Sequence, residues 1–258
     1  MGRRYRKRKK RRMGLVIAAI AAAVLFTTAL KYQEGGSFGS GRNVAQARQE
    51  LRKHSDYPKS LETLLENNPE TADFVKNYGN EAGKHHKIDL TKEVKQGEIP
   101  LFLQWDQRWG YEYYGNDMIA VDGCGPTCLS MVVAGLTQDA SFSPLKAAQF
   151  AEQKGFYVEG SGSSWSLMSE GAQKLGLTAN EISLDESVIR RELHAGHPII
   201  CVLGPGDFTS SGHFIVLTGI NNDGTVNVND PNSKIRSGKT WDLQRIMGQV
   251  RNLWSYQV

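Results

Sequence analysis

The hydrophobic period of this chain changes once, and the change limits its architecture. Residues 124–136 read as a helix that buries Leu129, Met131, Val132 and Val133, and 144–154 and 166–175 read as two more. A fourth begins at Ile182 and runs through Val188 to Leu193. Beyond that point the apolar residues stop recurring at helical spacing. Residues 198–203, 213–220 and 225–229 are short apolar or alternating runs between glycine-rich turns, the pattern of strands. Asn222-Asp223-Gly224 is a hairpin signal between the last two. A short helix over 241–247 and a closing strand over 252–258 complete the segment. Helices first and strands after is the order of an α+β domain with an antiparallel sheet, here over residues 98–258.

The other end of the chain is organised by charge. Nine of the 31 basic residues lie within residues 1–12, which hold no acid; the remainder carries 22 basic against 27 acidic residues and is mildly acidic. Residues 14–30 contain no charge in 17 positions, about 25 Å of helix. Cations ahead of one apolar stretch stay on the cytoplasmic side, so residues 13–31 are expected to be a transmembrane signal-anchor that places the rest of the chain outside the cell. A signal peptide cut near Thr27-Thr28-Ala29 is the alternative. The long basic run and the imperfect small-residue site favour the anchor. Nucleic-acid binding is not expected, because no aromatic residue beyond Tyr5 is interleaved with the basic run. Residues 32–97 read as a glycine-rich linker, a polar helix over 43–54 and a small helical appendage. In that appendage Leu61, Leu64 and Leu65 share one helical face, and Asn68-Pro69-Glu70 opens a helix that Gly79 ends. A lysine-rich connector follows.

Chemistry concentrates in Asp122-Gly123-Cys124-Gly125-Pro126-Thr127-Cys128. Cys124 falls where a glycine-bounded loop enters a helix, and unpaired N–H groups at a helix start stabilise a thiolate. The flanking glycines would allow a substrate backbone to come close. Cys128 lies one turn further, among apolar residues, and reads as a buried small side chain. Of the six histidines, His54, His85 and His86 are in polar surroundings, and His194 and His197 flank a turn. His213 differs, because it opens an apolar strand directly after Ser211-Gly212. An imidazole that serves a thiolate needs an acceptor on its other nitrogen. Asp230, at the end of the next strand of the hairpin, is placed to supply it, although a turn residue before Pro231 is an equally ordinary role. Cys124-x3-Cys128 with one histidine lacks the paired spacing of a structural zinc site. Neither a phosphate-cradling glycine loop nor a dinucleotide fingerprint is present, so no metal or cofactor is expected. Cys201 reads as a sheet residue, with a disulfide to Cys128 as the alternative in an exported chain.

The ordered series Gln104-Trp105-Asp106-Gln107-Arg108-Trp109, Tyr114-Gly115, residues 122–127, residues 212–219 and Asn229-Asp230-Pro231 resembles the motifs of double-glycine-peptidase-like proteins, which are papain-like cysteine peptidases. The resemblance covers about residues 98–258. Residues 57–78 also resemble a helical region found upstream of this domain in exported bacterial members. The resemblance implies a papain-like fold, with Cys124 as nucleophile, His213 as general base and acid and Asp230 as its orienter. It further implies that Gln104 lends its side-chain amide to an oxyanion hole beside the Cys124 N–H. Where transporter-linked members keep their glutamine shortly before the cysteine, this chain has Met118. Their double-glycine leader substrates are not carried over. Three functions follow as expectations. The first is an exported, membrane-tethered cysteine peptidase acting on a peptide or protein. The second is an amidase or endopeptidase acting on cell-wall peptide. The third is a non-catalytic binding module on the same fold.

Overall fold

The computed structural model describes residues 41–258. The basic tip, the expected transmembrane segment and the linker up to residue 40 lie outside the described residues. Among the described residues no helix is long and apolar enough to cross a membrane. In chain order the helices are α1 (residues 41–53), α2 (Ser60–Asn67), α3 (Ala72–Glu81), α4 (Ile119–Asp122), α5 (Cys124–Thr137), α6 (Pro144–Gln153), α7 (Glu170–Lys174), α8 (Glu186–His194), α9 (Lys234–Ser237) and α10 (Leu243–Met247). The strands are β1 (Tyr113–Tyr114), β2 (Asp117–Met118), β3 (Tyr157–Val158), β4 (Gly162–Ser163), β5 (Thr178–Glu181), β6 (Ile199–Leu203), β7 (His213–Ile220), β8 (Val226–Asn229), β9 (Thr240–Trp241) and β10 (Val250–Gln257).

Six strands form one sheet in the order β5-β10-β6-β7-β8-β9, and every neighbouring pair is antiparallel. Both faces are covered. Ile200, Val202, Phe214, Val216, Trp254 and Tyr256 pack against α5 through Leu129, Met131 and Val132. Their alternating neighbours Ile199, Cys201, Ile215, Leu217 and Leu253 pack against Ile189 and Leu193 of α8 and Leu243 and Ile246 of α10. A strand covered on both sides needs apolar residues at every position, so β6 is an unbroken apolar run rather than an alternating one. The β7–β8 hairpin closes over residues 221–225, where Gly224 takes φ +83°, a conformation that L side chains rarely adopt. Helix α5 is apolar all round because α6 lies on one side of it and the sheet on the other.

Three expectations change. The helix expected from Ile182 is preceded by a strand for which no expectation was made, β5, paired to β10 from Thr178↔Gln257 to Glu181↔Trp254. The helix starts only at Glu186, where Asp185 caps it by accepting from the Ser187 and Val188 N–H groups. β5 buries Ala179 alone, so an edge strand left no periodic signal to read. Residues 166–175 split into a 3-10 turn at Trp165–Leu167 and the five-residue α7. Gly79 does not end α3, which runs on to Glu81. A Cβ there would sit 1.9 Å from the Tyr57 hydroxyl, so this glycine admits a neighbouring ring.

Helices α2 and α3 form a separate apolar cluster with Tyr111, Met118 and Ala120. The Phe74 and Tyr111 rings stack at 4.0 Å, and the Tyr111 hydroxyl donates to the Phe74 carbonyl at 2.8 Å. This packing sets the N-terminal helices against the segment that leads into Cys124.

Candidate active site

Residues 119–137 are two helices joined at one glycine. Asp122 ends α4, Gly123 turns, and Cys124 opens α5. A Cβ on Gly123 would lie 2.4 Å from the Ile119 carbonyl oxygen, and one on Gly125 would lie 2.6 Å from the Ser163 hydroxyl. The two glycines therefore let the chain pack on itself, with β4 against the first turn of α5. Tyr114 fixes Ser163 from the far side, hydroxyl to hydroxyl at 2.8 Å.

His213, at the first position of β7, is buried, and its Nε2 meets Asp230 Oδ1 at 2.8 Å. Cys124 lines the same cavity as His213. With Nε2 taken by the carboxylate, Nδ1 is the ring nitrogen left for sulfur. Asp230 is fully buried just past β8. Its Oδ1 also accepts from the Asn232 N–H at 2.8 Å, and its Oδ2 accepts from Arg236 Nε. Burial alone would lower the pKa of His213. The charge of Asp230, together with hydrogen bonds to Asp230 and Cys124, overrides it and raises the value to about 10. Burial would likewise raise Asp230, but the charge and hydrogen bond of His213, followed by those of Arg236, hold it below the ordinary carboxylate value. The structure thus brings Cys124, His213 and Asp230 together from α5, β7 and the end of β8.

Gln104 sits against the end of α4. That side chain is buried, and its Nε2 donates to the Ala120 carbonyl at 2.8 Å and the Val121 carbonyl at 3.3 Å. Its backbone N–H donates to Pro231 O at 2.7 Å. Gln104 ties α4 to the segment after Asp230, and it does not line the cavity that contains Cys124. That cavity holds about 470 Å³. Residues 160–165, including Trp165, form one wall, and residues 211–214 form the other. Asp122 lines it too, its pKa raised by burial and then by the charge of Asp117.

All three cysteines are free thiols. Burial pushes Cys128 and Cys201 well above the ordinary thiol value, leaving Cys124 as the half-exposed sulfur. Among the described residues no three His, Cys, Asp or Glu side chains are grouped to hold a metal ion. Arg236 and Asn232 are the partners of Asp230 that the sequence did not disclose. Both sit in an eight-residue stretch around the four-residue α9, too short to show a period.

A protein-family model described as Peptidase_C39 like family matches residues 96–258. The chain belongs to this family. Family membership marks the domain as one of cysteine-peptidase kind, with Cys124, His213 and Asp230 inside the matched span and α1–α3 before it. No curated protein matches the chain.

Proposed function

We propose that this chain is an exported, membrane-tethered cysteine peptidase in which Cys124, His213 and Asp230 carry the chemistry. The observation that supports it most is the buried His213, with one nitrogen held by a charged carboxylate and the other left for Cys124, the one cysteine that is not fully buried. The Cys124 thiolate adds to an amide carbonyl carbon, forming a C–S bond and moving the carbonyl electron pair onto oxygen. The Cys124 N–H at the start of α5 is the backbone donor for that oxyanion, and Gln104 braces the α4 turn ahead of it. As the C–N bond breaks, the His213 imidazolium gives its proton to the leaving amine. Water then adds to the thioester carbonyl and gives its proton to His213. Collapse releases a carboxylic acid and regenerates the thiolate–imidazolium pair. Asp230 stays ionised throughout and keeps the ring turned.

Tethering and export rest on the nine cations of residues 1–12 and the uncharged residues 14–30. Incubating the full chain with a quenched-fluorescence peptide library and with purified cell wall is expected to yield new amine termini. Cys124→Ala should reduce the rate by on the order of 10⁴-fold or more. Equal cleavage by the alanine variant would refute the mechanism, and products from the wall alone would transfer the activity to cell-wall peptide. Membrane fractions carrying the chain, with residues 98–258 open to added protease on intact cells, are expected for the tether. Recovery in the soluble fraction would refute it.

A further inference from the structure

Asp230 is only as well placed as the loop that carries it, and that loop is held from outside the matched domain. Residues 230–237 fold back on themselves: the Asp230 N–H donates to the Ser237 hydroxyl at 2.9 Å, and the Ser237 hydroxyl donates to Ser233 O at 2.7 Å. The four-residue α9 inside the loop is too short to be stable alone. Its start is clasped by Glu70. One carboxylate oxygen accepts from the Lys234 N–H at 2.9 Å and the Ile235 N–H at 3.2 Å, and the other accepts from the Ser233 hydroxyl. Ser233 Oγ in turn accepts from the Arg236 N–H at 3.0 Å, and Arg236 Nε donates to Asp230. Two residues before Glu70, Asn68 Nδ2 donates to the Asn232 carbonyl, which also accepts from Trp105 Nε1 at 3.0 Å.

Asn68 and Glu70 open the turn before α3, in the helical segment that precedes the family match. We infer that α1–α3 act as a built-in activating segment, and that Glu70 is a positioning residue which fixes Asp230 through α9 and Arg236. The inference rests on the Cys124–His213–Asp230 reading. A negative charge at the first turn of α9 complements the helix dipole and leaves Arg236 free to point back at Asp230. The titratable or charged groups facing His213 are Cys124 from α5 and Asp230 from the end of β8, with Arg236 of α9 behind Asp230. When the clasp opens, the loop moves, Asp230 leaves the imidazole, and the ring loses both its orientation and the charge that keeps it protonated.

The test uses the full chain, with the His213 ring followed by NMR across pH and turnover measured on library peptides. Glu70→Ala is expected to move the His213 midpoint downward by about one pH unit or more. It should also lower kcat by roughly tenfold or more with KM nearly unchanged, because misplacement of a catalytic group acts on the chemical step. Glu70→Gln, which keeps one acceptor and loses the charge, should fall between wild type and alanine, and it decides the matter if the alanine variant does not fold. Tyr111→Phe breaks a different docking bond of the same helices. It should lower Tm while leaving the His213 midpoint and kcat alone. A wild-type midpoint and kcat in the Glu70 variants, or an equal shift in Tyr111→Phe, overturns the inference. Peptide cleavage by Cys124→Ala would instead bring down the peptidase reading; the NMR titration needs no substrate and separates the two failures.

Discussion

The cavity that holds Cys124 has two unlike flanks. On the His213 side, Asp230 is fully buried and accepts from His213, the Asn232 N–H and Arg236, while Ser237 and Ser233 stitch the loop beneath it. On the opposite side, β3 and β4 pair over only two residues each, and Gly160 and Gly162 sit at φ +72° and +76°. Trp165 stands 48% exposed, edge-on to the buried Trp254. One flank is over-determined by hydrogen bonds and the other is a glycine-rich ribbon tipped by an aromatic ring. Charge placement tolerates little displacement and belongs with the first flank; under the proposed function, substrate contact falls to the second. A buried carboxylate without its partners would be costly, so the chemical flank must be fully satisfied.

The largest expected effect lies on the satisfied flank. Asp230→Asn should lower kcat by on the order of 10²–10⁴-fold, since the amide neither holds the ring's tautomer nor stabilises its charge. The alkaline limb of the rate profile is expected near pH 10 in the native protein, where Asp230 raises His213, and should fall towards or below 6.5 in the variant. Stability follows the same sign. His213 has a raised folded-state value, so its contribution is complete below about pH 6.5 and is lost as pH rises to about 10. Urea unfolding across that window should show the decline in wild type and not in Asp230→Asn. An unchanged alkaline limb would erase the distinction between the flanks.

A smaller effect is expected from Trp165→Ala. Its ring is half in solvent, so Tm should hardly move, while kcat/KM on library peptides should fall roughly tenfold, mainly through KM. A fall in kcat alone would place Trp165 with the chemistry instead. The smallest effects separate Gly125, where α5 packs on the second flank, from Gly160 within that flank. In Gly125→Ala the new Cβ would lie 2.6 Å from the Ser163 hydroxyl and 2.8 Å from its Cβ, and relieving that contact should cost about 1–3 kcal/mol in urea unfolding. Gly160→Ala has open space but a positive φ and should cost about 1 kcal/mol. Equal losses would mean that β4 yields as easily as the open ribbon.

Legibility in the sequence followed the same division. The start of α5, the span of β7 and the tight hairpin after it could be read, because each is written in neighbouring residues: a glycine-bounded helix entry, an apolar run, an Asn-Asp-Gly turn. Those local frames offered Cys124, His213 and Asp230 as candidates, and the family resemblance joined them into one group. β5 could not be read, since an edge strand burying only Ala179 has no pattern. Gln104 could be named but not aimed: its amide hydrogens go to Ala120 and Val121 rather than towards the sulfur. Glu70 read only as part of the opening of its own helix, and its carboxylate accepts from the first N–H groups of another, α9.

By itself the sequence determined which groups are available and the local backbone frame of each, since period, capping and turn chemistry act over a few residues. Only the tertiary structure decided which donor meets which acceptor. The bond from Ser233 to Glu70 spans 163 positions, and no local rule constrains such a pair. It exists because helix docking and sheet pairing bring distant segments to within an ångström or so of hydrogen-bonding distance, and a buried polar group is stable only where that match is made.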